Sequence, residues 1–231
     1  MIERPMPRSL NVCLTILLIF ALSLFFSPIS AHSQAQAPAT ITFTLDFPAS
    51  QPEHYSIHVP SDGSGRYESK GRLSADSDEA DDFDLDFTIG ANTRQKIFDL
   101  AAKARYFQND VDSHHKGLAF TGKKTLAYKD AQRTGEAIYN YSSNAAVQEL
   151  TSLMQALGAT LEFGHRLQYD HHYQKLALDE ELKRMEEASH NRQLTEVTAI
   201  QPILDRIVAD PSVMNVTRAR AQRLLQGTGA H

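Results

Sequence analysis

Three short stretches carry residue types and spacings that could do chemistry. The first is "ADSDEADDFDLDF", Ala75 to Phe87, with seven acids in thirteen residues: Asp76, Asp78, Glu79, Asp81, Asp82, Asp84 and Asp86. An EF-type calcium loop needs oxygen ligands at positions 1, 3 and 5, glycine at 6 and a bidentate glutamate at 12. Counted from Asp76, those last three positions fall on Ala80, Asp81 and Phe87. Counted from Asp82, positions 6 and 12 fall on Phe87 and Thr93. Both registers fail, and only a looser oxygen cage at Asp76–Asp82 stays open. The second stretch is "SHHK", Ser113 to Lys116, which has the Ser-x-x-Lys spacing of penicillin-recognising acyl transferases. It lacks a Ser-Asp-Asn companion, and Thr121-Gly122-Lys123 is not Lys-Thr-Gly. The third, "GLAFTGKK", places Gly117, Gly122 and Lys123 as a phosphate-binding loop would. Lys124 stands where a hydroxyl must reach magnesium, and the following "TLAYKD" reads as strand rather than helix.

Histidine is the other chemical resource, with ten in the chain. His54 and His58 share one strand face but lie ~13 Å apart at the rise of a strand. In "GHRLQYDHH", a helical reading puts His165 and His172 on one face, ~10 Å apart. Zinc would need distant ligands, such as His114 or His115 joining His171. The expectation is therefore surface histidines on a long helix, with no metal and no cofactor. Two functional classes survive. One is a non-catalytic binding module that engages a protein or envelope component through a polar sheet face or a helical tail. The other is a hydrolase built from separate loops, with His114, His115 and the Asp76–Asp82 acids as its dense candidates. A pocket uniting a histidine, a carboxylate and a serine would favour the hydrolase.

The elements that must position these groups follow from periodicity. "ATITFTLDF" alternates Ile41, Phe43, Leu45 and Phe47 against threonines and Asp46, the rhythm of a half-buried strand. "EHYSIHVP" repeats it, "SDGSG" turns the chain, and "RYESKGRL" returns as partner. From Asp82 the acidic stretch alternates too, so Asp82, Asp84 and Asp86 face water and Phe83, Leu85, Phe87 and Ile89 face inward. An amphipathic helix follows, N-capped by Asn92, with Ile97, Leu100, Ala101 and Ala104 on one face. "KTLAYKD" and "GEAIYNYS" are strands around "DAQRTG", and a helix starts near Asn144 with Val147, Leu150, Met154, Leu157 and Leu161 as its seam. Strand, turn, Tyr-bearing strand and helix thus occur twice, a possible duplicated β-β-α unit. From Leu161 onward the chain reads as helices, with Asp179 as a cap, a kink or restart at Pro202, a break at Asp210-Pro211, and Gly227 as the stop. Arg218, Arg220 and Arg223 lie near the end of the last helix. The expected architecture is α+β: a small, mostly antiparallel sheet with two packed helices at 36–160, then a helical C-terminal extension at 161–231.

The N-terminus gives the destination. Arg4 and Arg8 precede the apolar run Val12–Phe26, and small residues follow, the pattern of a secretory signal over residues 1–35. Cleavage after Ala31, Ala35 or Ala37 fits the small-residue rule. Fifteen apolar residues are short of the ~20 a spanning helix needs, so no stable membrane insertion is expected after cleavage. Cys13, the only cysteine, lies inside that run. The exported chain therefore has no disulfide and no thiolate chemistry. The net charge of −5 becomes −6 without the leader, with 17 acids and 12 bases in residues 36–160. No basic stripe suggests nucleic acid as a partner.

Over residues 53–160, "YSIHVPSDGSGRY", the helix ending "AKARYF" and "TLAYKD…IYNYSSNAAVQELTSLMQAL" resemble an uncharacterised family of exported bacterial domains, a domain of unknown function. The resemblance covers about half of the chain. It implies an α+β fold and export to the periplasm or beyond, and carries over no catalytic or binding residue.

Overall fold

The two-residue rhythm of the sequence becomes a six-stranded antiparallel sheet. The structure is a computed structural model that describes residues 38–48, 50–72 and 80–227. The expected signal (1–35) and Asp76, Asp78 and Glu79 lie outside the described residues. The strands are β1 (Thr40–Asp46), β2 (His54–Pro60), β3 (Ser64–Lys70), β4 (Phe83–Thr88), β5 (Lys123–Lys129) and β6 (Thr134–Tyr139). Their spatial order is β4-β3-β2-β1-β5-β6. Phe43 lies opposite Ile57 on one side and Leu126 on the other, and all three are fully buried. A one-residue slip would exchange this row for threonines, so burial fixes the register. The opposite face is polar. There Arg66 reaches Glu68 (2.9 Å), Asp84 (3.1 Å) and Asp86 (3.0 Å). The acids of β4 are thus a solvated face whose repulsion one guanidinium offsets, and charge on this edge strand discourages further pairing.

Among the described residues five α-helices complete the fold: α1 (Ala91–Lys103), α2 (Ala145–Tyr173), α3 (Leu178–His190), α4 (Gln201–Ala209) and α5 (Asn215–Gly227). Asn144 caps α2, its side chain accepting from the amides of Ala146 and Val147. At 29 residues α2 is ~43 Å long, whereas six strands span only ~24 Å. It crosses the sheet side to side. Thr151 meets the Tyr139 hydroxyl (2.5 Å), Gly158 lies against the Tyr55 ring, Glu162 accepts from the Tyr67 hydroxyl (3.0 Å), and His165 stacks on Phe83 (4.2 Å). The overshoot carries the C-terminal helices. The boundary expected at 160 falls inside this continuous helix, and the described residues belong to one compact unit. Among the described residues no helix is long and apolar enough to cross a membrane.

Two corrections concern caps. Asn92 lies inside the first turn of α1, and no side chain of that segment caps it. Glu196, more than a hundred residues later, accepts from the amide of Gly90 (2.9 Å) and the hydroxyl of Thr93. A carboxylate there also suits the positive end of the helix dipole. Glu196 is held in place by its neighbour: the buried Thr160 hydroxyl of α2 donates to the Thr195 carbonyl (2.6 Å) and accepts from its amide (3.2 Å). Asp179 is likewise no cap, since it lies in the first turn of α3 with Glu180 and Glu181. At Pro202 the chain restarts rather than kinks, with the proline in the first turn of α4, where its missing N–H costs nothing.

The helix expected to end "AKARYF" stops at Lys103. Arg105, Tyr106 and Phe107 then take φ of 53°, 53° and 60°, a left-handed run costing about 1–2 kcal/mol per residue. Packing offsets it. Phe107 is fully buried, the Tyr106 ring lies 4.5 Å from that of Tyr128, and the Arg133 guanidinium sits 4.2 Å over Tyr106. Gly135 makes this possible, because a Cβ there would stand 2.0 Å from the Tyr106 carbonyl oxygen. Gly135→Ala should therefore lower stability by about 2–3 kcal/mol in urea unfolding. Gly227→Ala, with open space around it, should stay within about 0.5 kcal/mol of the parent.

Candidate functional site

Past the middle of α2, Glu162, His165, Arg166, Tyr169 and Asp170 recur at the i, i+3, i+4, i+7, i+8 spacing of one helix face. An apolar stripe with this spacing would be core. This polar one overhangs a cleft of about 440 Å³. Its other walls are the β1–β2 turn at Gln51-Pro52, the end of β3 with Ser69, Gly71 and Arg72, Asp81 before β4, and the first turns of α3. The volume is within the range of small-ligand sites.

Most of its charges engage one another. His165, 8% exposed, is clamped between two carboxylates: Nε2 lies 3.1 Å from Asp81 Oδ1, and Nδ1 3.4 Å from Glu162 Oε1. Burial disfavours the imidazolium, but the two acids outweigh it and hold the His165 pKa above its ordinary value. Arg166 donates from Nε to the buried carboxylate of Glu181 (2.5 Å) and lies 4.5 Å over the Phe163 ring. Arg184 adds a looser contact to Glu181 (3.4 Å).

Three groups in the cleft are left over, one of them His165 Nδ1, which at 3.4 Å from Glu162 makes an ion-pair contact without hydrogen-bond geometry. The Ser69 hydroxyl, on a residue 2% exposed, finds no partner of hydrogen-bond geometry although it lies beside Tyr67. The side chain of Asp170 makes no hydrogen bond or ion pair among the described residues. Burial first, then the charge of Glu181, raises its pKa, with Arg166 and Arg184 opposing.

The residues singled out in the sequence lie elsewhere, with two exceptions, Asp81 and His165. His114 is 72% exposed and pairs within its own loop, Nε2 to Asp110 (2.7 Å) and Nδ1 toward Asp112 (3.7 Å). His115 is exposed beside it. Of the Asp76–Asp82 acids, Asp81 reaches the cleft, but its partner is His165. That histidine is therefore not a surface residue. His54 pairs with Asp46 (2.6 Å), His58 with the Thr42 hydroxyl (3.0 Å), and His171 with Asp210 (2.9 Å). Among the described residues no group of three or more His, Cys, Asp or Glu could hold a metal ion.

"GKK" opens strand β5. Lys123 pairs with Asp46 (3.1 Å), and the buried Lys124 donates to the carbonyls of Thr121, Gly122 and Asn140 and the Thr121 hydroxyl at 3.0–3.2 Å. A true serine–lysine contact exists between Ser212 Oγ and Lys175 Nζ (2.6 Å). Asp210 accepts from both (2.6 and 2.7 Å), so the serine proton is directed at a carboxylate and not at the amine. This cluster locks the end of α2 to the α4–α5 link. No protein-family profile matches the chain, and no curated protein is detectably similar to it. Function is therefore argued from the chemistry of the site.

The His165 clamp sets a pH signature. A pKa raised by folding contributes stability that is complete below the unfolded value of about 6.5 and lost as pH rises through the folded one. The thermal midpoint of the parent should thus exceed that of His165→Gln by more at pH 6 than at pH 9. Asp210 is shifted the opposite way, with Lys175 and the Ser212 hydroxyl and amide holding its pKa well below the carboxylate range. The advantage of the parent over Asp210→Asn should accordingly shrink as pH falls below about 4. Differential scanning calorimetry across pH checks both.

Proposed function

We propose that the chain is an exported, non-catalytic binding module of the cell envelope, engaging a protein or envelope component through the cleft under α2. One observation carries this reading: Asp170 apart, the acid–base groups of the cleft face one another or a hydroxyl rather than standing poised. His165 sits between Asp81 and Glu162, whose charges favour the imidazolium, and that form has no lone pair to take a proton from Ser69. Glu181 is held by two arginines, and Glu162 accepts from Tyr67. A general base needs an open lone pair within reach of the proton it removes. The unpaired groups, Ser69 and Asp170, are of the kind that fix a ligand's orientation. The charged start and apolar run of residues 1–35 support export.

One observation favours an envelope hydrolase instead. Asp170, with its pKa raised by burial and the charge of Glu181, has the character of a general acid. Such a mechanism needs a second carboxylate set in the site to act as base or nucleophile; Asp81, Glu162 and Glu181 are engaged, and Glu180 stands exposed at the rim. The hydrolase reading therefore ranks second.

Co-sedimentation of the purified chain with isolated wall polymer and membrane fractions tests the order. The parent should be retained on one fraction, and Asp170→Asn, which removes the half-buried unpaired carboxylate of the cleft, should lose retention without loss of thermal stability. Wall polymer should release no new reducing ends or amines. Release by the parent and none by Asp170→Asn would establish the hydrolase, and retention on no fraction would contradict the binding reading.

A further inference from the structure

We propose that the cleft under α2 accommodates a ligand bearing a primary ammonium group, with the ammonium at Asp170 and an adjoining polar group of the ligand at the Ser69 hydroxyl. The proposal rests on the binding reading above and names its ligand class. The first argument is charge. Five carboxylates line the cleft against three arginines and His165, so negative charge is in excess even with the imidazole protonated. One of those arginines, Arg72, is already engaged by Glu53 outside the lining, with Nη2 2.9 Å and Nε 3.1 Å from Oε1. The second argument is where the excess sits. Asp81, Glu162 and Glu181 each have a cationic or hydroxyl partner at 2.5–3.1 Å. Glu180 has only distant ones, Lys183 and Arg184 at 3.8 Å, and stands exposed at the rim. Asp170 alone is half-buried with no partner among the described residues. A carboxylate taken partly out of water without a counter-ion is unfavourable, and a ligand cation would relieve it.

The third argument is independent of charge. Ser69 is 2% exposed on the inward face of β3, lines the same cleft, and has an unsatisfied hydroxyl. Buried hydroxyls almost always have partners, so one left unpaired in the wall of an open cleft points to a group supplied from outside. Arg166 and Arg184 also act on the charge of Asp170, and a compact ammonium on a flexible stem is more easily placed beside them than a planar guanidinium. The cleft's 440 Å³ suits a short chain such as a diamine or a lysyl side chain.

Amide NMR titration and calorimetry of the purified chain test this with three probes: cadaverine, Nα-acetyl-lysine methylamide and its Nε-acetylated counterpart. At least one of the first two should give saturable shifts among residues 162–170, and the neutral probe none. A response to the diamine alone identifies a free amine as the source, and to the lysyl probe alone a peptide. Asp170→Asn should weaken binding at least about tenfold and Ser69→Ala about threefold. Because folding raises the pKa of Asp170, its charge opposes folding at neutral pH, so the asparagine variant should melt at or above the parent temperature. Lost binding then cannot be put down to unfolding. The proposal is overturned by no saturable shift at about 50 mM probe, well above a millimolar Kd, or by unchanged affinity in Asp170→Asn. If neither amine binds while the parent is still retained on an envelope fraction and Asp170→Asn is not, the ammonium assignment falls and the binding module stands.

Discussion

The structure depends on one helix being longer than the sheet it crosses. The inner half of α2 packs on the sheet through Val147, Leu150, Met154 and Leu157, all fully buried. Its outer half meets the last two strands at Glu162 and His165 and then runs past the edge, with Leu161 and Leu167 buried equally well. A segment with nothing beneath it must find another layer to cover its apolar stripe, and α3, α4 and α5 are that layer. Gly164 permits close approach there, since a Cβ at that position would meet the Ile200 side chain at 2.7 Å. The cleft is the space left where the polar stripe of the same helix faces neither layer.

That geometry explains why the charges are arranged as they are. Tyr67 and Ser69 rise from the inward face of β3 at the edge of the sheet, where aromatic packing gives way to water. Burial there is partial, so ionised groups survive if paired. Glu162 is anchored by a tyrosine, His165 by two acids and a phenylalanine ring, and Glu181 by two arginines. These contacts fasten α2 to β3, β4 and α3 and leave Asp170 and Ser69 as the open positions. Ser212, Lys175 and Asp210 do similar work at the far end without an open position, which is why that cluster is a lock.

Much of the fold was legible in the residues. Alternation from Ile41 to Phe47, from Tyr55 to Val59 and from Phe83 to Phe87 fixed strands and their inward faces, and Asn144 marked the start of α2. What eluded sequence reasoning depended on distant partners. Asn92 has the right side chain for a cap, but Glu196 does the capping, and no local pattern links two positions over a hundred residues apart. His165 was read as a surface histidine because its two acids come from α2 itself and from a loop before β4. The spacing of Glu162, His165, Arg166, Tyr169 and Asp170 was the available signal: a polar stripe on a helix whose neighbouring stripe is Leu161, Gly164 and Leu167. Ser69 gave no signal, since a serine in "YESK" is ordinary until the strand pairing turns it inward.

If α2 is the element that unites sheet, cleft and tail, its two halves must open together. Native-state hydrogen exchange along α2, followed at increasing denaturant, measures this directly. Amides of Leu150–Leu157 and of Leu161–Leu167 should converge on one opening free energy, equal to that of global unfolding. A markedly lower opening free energy for 161–167, with 150–157 still protected, would show the tail opening as a separate unit and would contradict this account of the cleft.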